Sequence, residues 1–172
     1  LTLPLQEQQD TSHHQYLMQK LTGTRVLAID DNLSTREMLQ EMLRSYRVDV
    51  RVCRTAEQAL ELYQQSLNEQ QPFELILVDW RLPGMDGLAF CEKIQQQYKQ
   101  NPPKLILATG YYVEELQDKA RQAGVADILS KPYTAATLGR SLSTTLFPST
   151  ERSMMTRTQS NAIPDTIRHA PI

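Results

Sequence analysis

Four short apolar runs, Val26 to Ile29, Leu75 to Val78, Leu105 to Ala108 and Ile128 to Leu129, each lead to a residue with a chemically active side chain. Asp30 and Asp31 follow the first run, Asp79 the second and Thr109 the third, while Lys131 closes the fourth. If the runs are parallel strands of one sheet, these side chains all emerge at its carboxyl edge, where open α/β sheets place their ligand sites. Three acids, a hydroxyl and an amine then share one pocket. Two carboxylates about 5 Å apart at an effective dielectric of about 20 repel by roughly 3 kcal/mol, so such a cluster calls for a cation.

The strand reading rests on pattern. Leu75 to Val78 and Leu105 to Ala108 are unbroken apolar runs, as expected of central parallel strands covered on both faces. Val48, Val50 and Val52 alternate with Asp49 and Arg51, which marks a half-exposed edge strand. Between the runs lie helical periods: Leu39, Met42, Leu43 and Tyr46 in one segment, then Ala56, Ala59, Leu60, Tyr63 and Leu67 in the next. Ser34 with Glu37 and Thr55 with Gln58 predict capping boxes at the two helix starts. Later helices are expected around Leu88, Cys91 and Ile94, around Val113, Leu116 and Ala120, and around Leu138, Leu142 and Leu146. The outcome is five strand and helix pairs with right-handed crossovers.

Of the 172 residues, Arg25 to about Phe147 carry this pattern, the usual size of a single α/β domain. The expected organisation is a linker over residues 1–23, a domain over 24–147 and a second linker over 148–172, since the flanks are rich in Gln, Ser, Thr and His. The chain does not open with Met and is expected to be a piece of a longer protein. A net charge of −2, with no basic stripe on any helix, argues against direct nucleic-acid binding. Cys53 and Cys91 lie in apolar contexts without metal-ligand spacing, so both are expected to be buried free thiols, which suits a cytoplasmic setting. No apolar run approaches a membrane span, although a parent chain is free to be membrane-anchored.

Read in order, Leu27 to Asn32 (LAIDDN), Leu77 to Gly87 (LVDWRLPGMDG), Leu107 to Gly110 (LATG) and Asp127 to Pro132 (DILSKP) resemble the receiver domain of two-component response regulators. The likeness covers the whole central domain. It implies a flavodoxin-like (βα)5 three-layer sandwich with a parallel sheet of order 2-1-3-4-5. It also implies that Asp79 accepts a phosphoryl group from phosphohistidine with Mg2+. In the family, Asp31 is the direct metal ligand, Asp30 acts largely through water, Asp79 itself ligates, and so does the backbone carbonyl of Arg81. Lys131 and Thr109 then serve the phosphoryl oxygens, and a cis Lys131 to Pro132 bond is implied. The implied partners are a histidine kinase or a phosphotransfer domain carrying phosphohistidine, with a homodimer through the last two helices left open. The chemistry agrees: an anionic nucleophile approaching an anionic phosphoryl group needs its charge neutralised, and Mg2+ takes the hard oxygens available here.

Each residue also has a plainer reading. Asp30 or Asp31 can cap the following helix, Lys131 can be a surface lysine and Thr109 a strand-end hydroxyl; the joint arrangement is what favours a site. Pro83, Gly84, Asp86 and Gly87 are expected to shape a tight loop and a helix start. The chain departs from the family where Ile128 replaces a common aromatic switch residue, which directs attention to Thr109 and to Tyr111 and Tyr112 as switch candidates. Leu82 stands where Met is common. Arg81 and Tyr111 occupy the places expected to flank the water path and set phosphoryl lifetime.

Residues 1–5 (LTLPL) resemble the final strand of a histidine-kinase ATP-binding domain, which points to a hybrid histidine kinase as the parent. His13 and His14 lack the surroundings of a phosphodonor and are expected to be linker histidines. Three alternatives remain: a flavodoxin-like cofactor binder, whose first loop should be an amide cradle rather than Asp30 and Asp31; a haloacid-type phosphatase, which wants an acid where Arg81 stands; and a pseudo-receiver that binds partners without being phosphorylated. As for enzyme status, the expectation stops at self-phosphorylation and autodephosphorylation chemistry.

Overall fold

The computed structural model describes residues 5–111 and 114–148. Five strands, β1 (Arg25–Ile29), β2 (Asp49–Cys53), β3 (Leu75–Asp79), β4 (Lys104–Thr109) and β5 (Asp127–Ser130), form one parallel sheet in the order β2-β1-β3-β4-β5. Period-two side-chain alternation divides the central strands between two cores. Leu27, Ile29, Ile76, Val78, Leu105 and Leu107 face one helical layer, and Val26, Ala28, Leu75, Leu77, Ile106 and Ala108 face the other. All twelve are at most 3 % exposed, which explains why these strands read as continuous apolar runs. β2 lies at one edge with its Asp49 and Arg51 exposed, as its alternation predicts.

The helices are α1 (Leu5–Leu21), α2 (Leu33–Ser45), α3 (Ala56–Asn68), α4 (Gly87–Gln97), α5 (Glu114–Gln122) and α6 (Ala135–Leu146). Helices α3, α4 and α5 cover the first core, while α1, α2 and α6 cover the second. Thr55 caps α3 as expected: its hydroxyl accepts from the Gln58 amide at 3.1 Å, and Gln58 returns to the Arg54 amide at 3.1 Å. At α2 the expected Ser34 cap is replaced by Asn32, whose side-chain oxygen accepts from the Thr35 amide at 3.1 Å. The helix therefore begins at Leu33, two residues earlier than a Ser34 cap would start it.

Helix α1 was not foreseen. The segment expected to be a linker forms a helix whose Leu17 and Leu21 are fully buried beside Leu39, Leu43, Leu138 and Leu142. After Leu5 its apolar residues occupy only the last turn and a half, following a Gln-rich stretch too polar to register as amphipathic. Burial of two leucines stabilises by roughly 1.5–3 kcal/mol each, enough to dock the helix. His14 lies ring to ring with Tyr46 at 4.7 Å, so it is a packing histidine. Residues 1–4 of the LTLPL phrase, residues 149–172, and the Tyr112 and Val113 expectations lie outside the described residues.

Candidate functional site

The parallel register brings the carboxyl ends of β1, β3, β4 and β5 to one edge. Backbone bonds carry the alignment past the strand ends: Trp80 N–H donates to Ala108 O at 2.9 Å, and Lys131 N–H to Thr109 O at 2.8 Å. Asp30, Asp31 and Asp79 thereby converge, each offering a carboxylate oxygen within 4.8 Å of the others. Asp30 is buried, Asp79 half-buried and Asp31 exposed. Lys131 lies between two of them, its Nζ 2.8 Å from Asp30 Oδ2 and 3.2 Å from Asp79 Oδ1. The Lys131 to Pro132 bond is cis.

Electrostatics follow from this packing. Burial raises the Asp79 pKa, with Asp30 adding to the rise, while Lys131 and the Arg81 amide oppose it. Burial alone lowers that of Lys131, but hydrogen bonds and charge from Asp30 and Asp79 outweigh it and the net shift is upward. The amine therefore stays cationic. Hard oxygens from three acids are a donor set suited to Mg2+, and neither Asp30 nor Asp31 is consumed as the helix cap, since Asn32 fills that place.

Asp30 is fixed at every polar atom. Its amide donates to Cys53 O at 3.1 Å, its carbonyl accepts from Arg36 Nη1 at 2.8 Å, and its Oδ1 accepts from the Asn32 amide at 2.9 Å. Arg36 and Asn32 carried no sequence signal for this task, because both sit on a polar helix start. Gly87 stands at the helix start, as the sequence predicts. A Cβ there would lie 2.4 Å from the Asp79 carbonyl oxygen, so only glycine lets α4 begin this close to Asp79. Gly87 N–H donates to Trp80 O at 2.8 Å, and Asp86 caps the helix through the Ala89 amide at 2.8 Å.

The remaining expected site residues lie around this centre. Thr109 is buried, but its hydroxyl is engaged with the Tyr111 backbone, accepting from its amide and donating to its carbonyl at 3.0 Å each. Arg81 stacks between two rings, 4.5 Å from the Tyr111 centroid and 5.6 Å from that of Trp80. Ile128 is half-buried on β5 and packs against the first core. Cys53 and Cys91 are buried and unbridged, and burial pushes both thiols up to about 12.

The profile of the family described as "Response regulator receiver domain" matches residues 26–143. The chain belongs to the response regulator receiver domain family. The receiver is 34 % identical over 107 residues to the signal transduction histidine-protein kinase BarA of Escherichia coli, covering 62 % of this chain but 11 % of that protein. It therefore spans about a tenth of the length of this relative. Among solved structures, it matches the chemotaxis protein CheY4 of Vibrio cholerae with a TM-score of 0.66 at 26 % identity, over 73 % of this chain and all of CheY4. It also matches the receiver domain of sensor histidine kinase PA1611 from Pseudomonas aeruginosa, with a TM-score of 0.62 at 29 % identity, over 73 % of this chain and 98 % of that one. That structure carries a magnesium ion in its active site cleft. The fold and the family resemblance are thus as the sequence predicts. Among the described residues no helix is long and apolar enough to cross a membrane.

Proposed function

We propose that Asp79 is the phosphoacceptor of this receiver and that Asp30, Asp31, Asp79 and the Arg81 carbonyl are the residues that would hold Mg2+. The observation that carries the reading is the convergence of three carboxylates with Lys131 at one sheet edge. A bound Mg2+ supplies the positive charge that lets a phosphoryl group approach an anionic carboxylate. Lys131 already touches Asp79 and is charged, so it is poised to receive phosphoryl oxygens through a charge-assisted hydrogen bond. The Asp79 oxygen attacks phosphorus, the bond to the donor histidine nitrogen breaks, and an acyl phosphate remains.

Thr109 would then exchange its Tyr111 backbone bonds for a phosphoryl oxygen, and the loop that carries Tyr111 would follow. The switch passes through Thr109 and Tyr111, with Ile128 acting as a packing residue. The phosphodonor is a histidine kinase or phosphotransfer domain, which meets exposed Leu33, Met38 and Tyr111 beside the acids. The parent is a cytoplasmic or membrane-anchored hybrid histidine kinase in which residues 24–147 form the receiver and the flanks connect it to neighbouring modules. The similarity to BarA supports this parent.

Trp80, the single tryptophan, adjoins Asp79 and reports on the site. Mg2+ is expected to change its fluorescence saturably, with beryllofluoride producing a second change that requires Mg2+. Asp31→Asn, an exposed position, is expected to weaken the Mg2+ response by about tenfold or more. Equal responses in both chains would remove Asp31 from the metal set.

A further inference from the structure

The turn from β1 into α2 holds its residues unevenly. Asn32 is tied at three atoms: its amide donates to Asp30 Oδ1 at 2.9 Å, its carbonyl accepts from the Arg36 amide at 3.1 Å, and its side-chain oxygen accepts from the Thr35 amide at 3.1 Å. Asp31 lies just before these anchors, exposed, and among the described residues its carboxylate meets no hydrogen-bond donor or cation. Where that carboxylate stands is therefore set by the backbone. The Asp30 carbonyl and the Asp31 amide belong to one planar peptide unit, so whatever fixes the carbonyl oxygen also fixes the direction in which the chain enters Asp31. That oxygen accepts from Arg36 Nη1 at 2.8 Å, the one hydrogen bond of the Arg36 side chain among the described residues.

Two further features single Arg36 out. It stands in the first turn of α2, where a cation meets the positive end of the helix dipole, so its place is unfavourable to the helix itself. It is also half-buried, with its guanidinium spent on a neutral carbonyl rather than on a carboxylate, which leaves the acids to Lys131 and to a metal. We propose that Arg36 is a positioning residue for Mg2+: by clamping the peptide between Asp30 and Asp31 it aims the Asp31 carboxylate into the acid cluster. This rests on the reading of Asp31 as a metal ligand. Without the clamp that peptide rotates between its two α-carbons and the carboxylate swings away from Asp30 and Asp79, so Mg2+ has to order the turn as it binds and loses affinity. The sign separates this role from a purely electrostatic one. A cation beside three acids repels Mg2+, so removing its charge alone would tighten binding, whereas losing the clamp weakens it.

The test is Arg36→Met in the full chain, with Mg2+ titrated against both Trp80 fluorescence and melting temperature. The variant is expected to bind Mg2+ about tenfold more weakly, the worth of one charge-assisted hydrogen bond. In an Asp31→Asn background the same substitution is expected to change Mg2+ affinity by less than about twofold, since no carboxylate is left to aim. Binding by Arg36→Met that is unchanged or tighter overturns the proposal, as does an equal loss in both backgrounds, which would mean a general loosening of the turn. If Arg36→Met does not melt cooperatively, Arg36→Lys decides in the same two backgrounds. It keeps the charge but replaces the planar fork by a single flexible donor, so weaker Mg2+ binding that depends on Asp31 is expected, and wild-type binding overturns the proposal. An Mg2+ response that survives Asp31→Asn unchanged, with Arg36 intact, instead removes Asp31 from the metal set, and this inference with it.

Discussion

Asp79 is held ionised against its surroundings. Its carboxyl titrates higher in the fold than in the unfolded chain, chiefly because it is buried. The linkage has a definite sign: its contribution to stability is fully present below the ordinary carboxylate range and is lost as the pH rises through the folded value. At neutral pH and without metal, ionised Asp79 weakens the fold. Asp79→Asn is therefore expected to raise the melting temperature in chelator at about pH 7 by a few degrees, at about 4 °C per kcal/mol. The advantage should shrink as the pH falls through the raised Asp79 pKa toward the ordinary carboxylate range; a variant melting at or below wild type at neutral pH would contradict the burial argument. Arg81 and Tyr111 give a second prediction, because their stack lies beside the site. Arg81→Ala and Tyr111→Ala are each expected to shorten the phosphoryl lifetime by about two- to fivefold, the worth of an exposed cation–π contact, and unchanged decay would show that the stack shields nothing. Asp30, Asp31, Asp79, Thr109 and Lys131 were legible as candidates because each follows an apolar run. Arg36 and Asn32 were not, since their contacts with Asp30 depend on the path of the turn after β1, which no spacing encodes.

Helix α1 and the start of α4 lie on opposite sides of the sheet, the first closing the second core and the second packing against Asp79. Leu17 and Leu21 bind α1 to the core formed with α2 and α6, so Leu17→Ala and Leu21→Ala are each expected to cost about 2–5 kcal/mol in denaturant unfolding. A cost below about 0.5 kcal/mol would mean that α1 is only loosely attached. On the same face, Tyr46 fills a notch opposite Gly139, where a Cβ would lie 2.6 Å from the ring, and its hydroxyl donates to Ala135 O at 2.7 Å. Gly139→Ala is expected to cost about 1–3 kcal/mol by overpacking, and the loss should shrink when Tyr46 is also made smaller. The helices with full apolar stripes, such as α2 and α3, could be read from periodicity. The start of α2 was misread because Asn32 and Ser34 both offer capping chemistry and lie only two residues apart. In α1, one apolar turn after a polar stretch gives a helix no periodic signature.

At the scale of the whole molecule, sheet and site are one arrangement. Both faces of β1, β3 and β4 are covered, so the strand interiors are apolar, and the acids and the threonine stand at or just past the carboxyl ends, where the register collects them. That coupling made the strand positions and the acid cluster readable together, whereas strand order came from the family resemblance rather than from periodicity. The central claim is that this edge captures a phosphoryl group on Asp79. The most direct measurement is intact mass after incubation with a small phosphodonor and Mg2+, on wild type and on Asp79→Asn. One added phosphoryl group is expected on wild type, lost on treatment with chelator before loading, and none on the variant. Addition of the same mass to Asp79→Asn, or none to wild type, would contradict it.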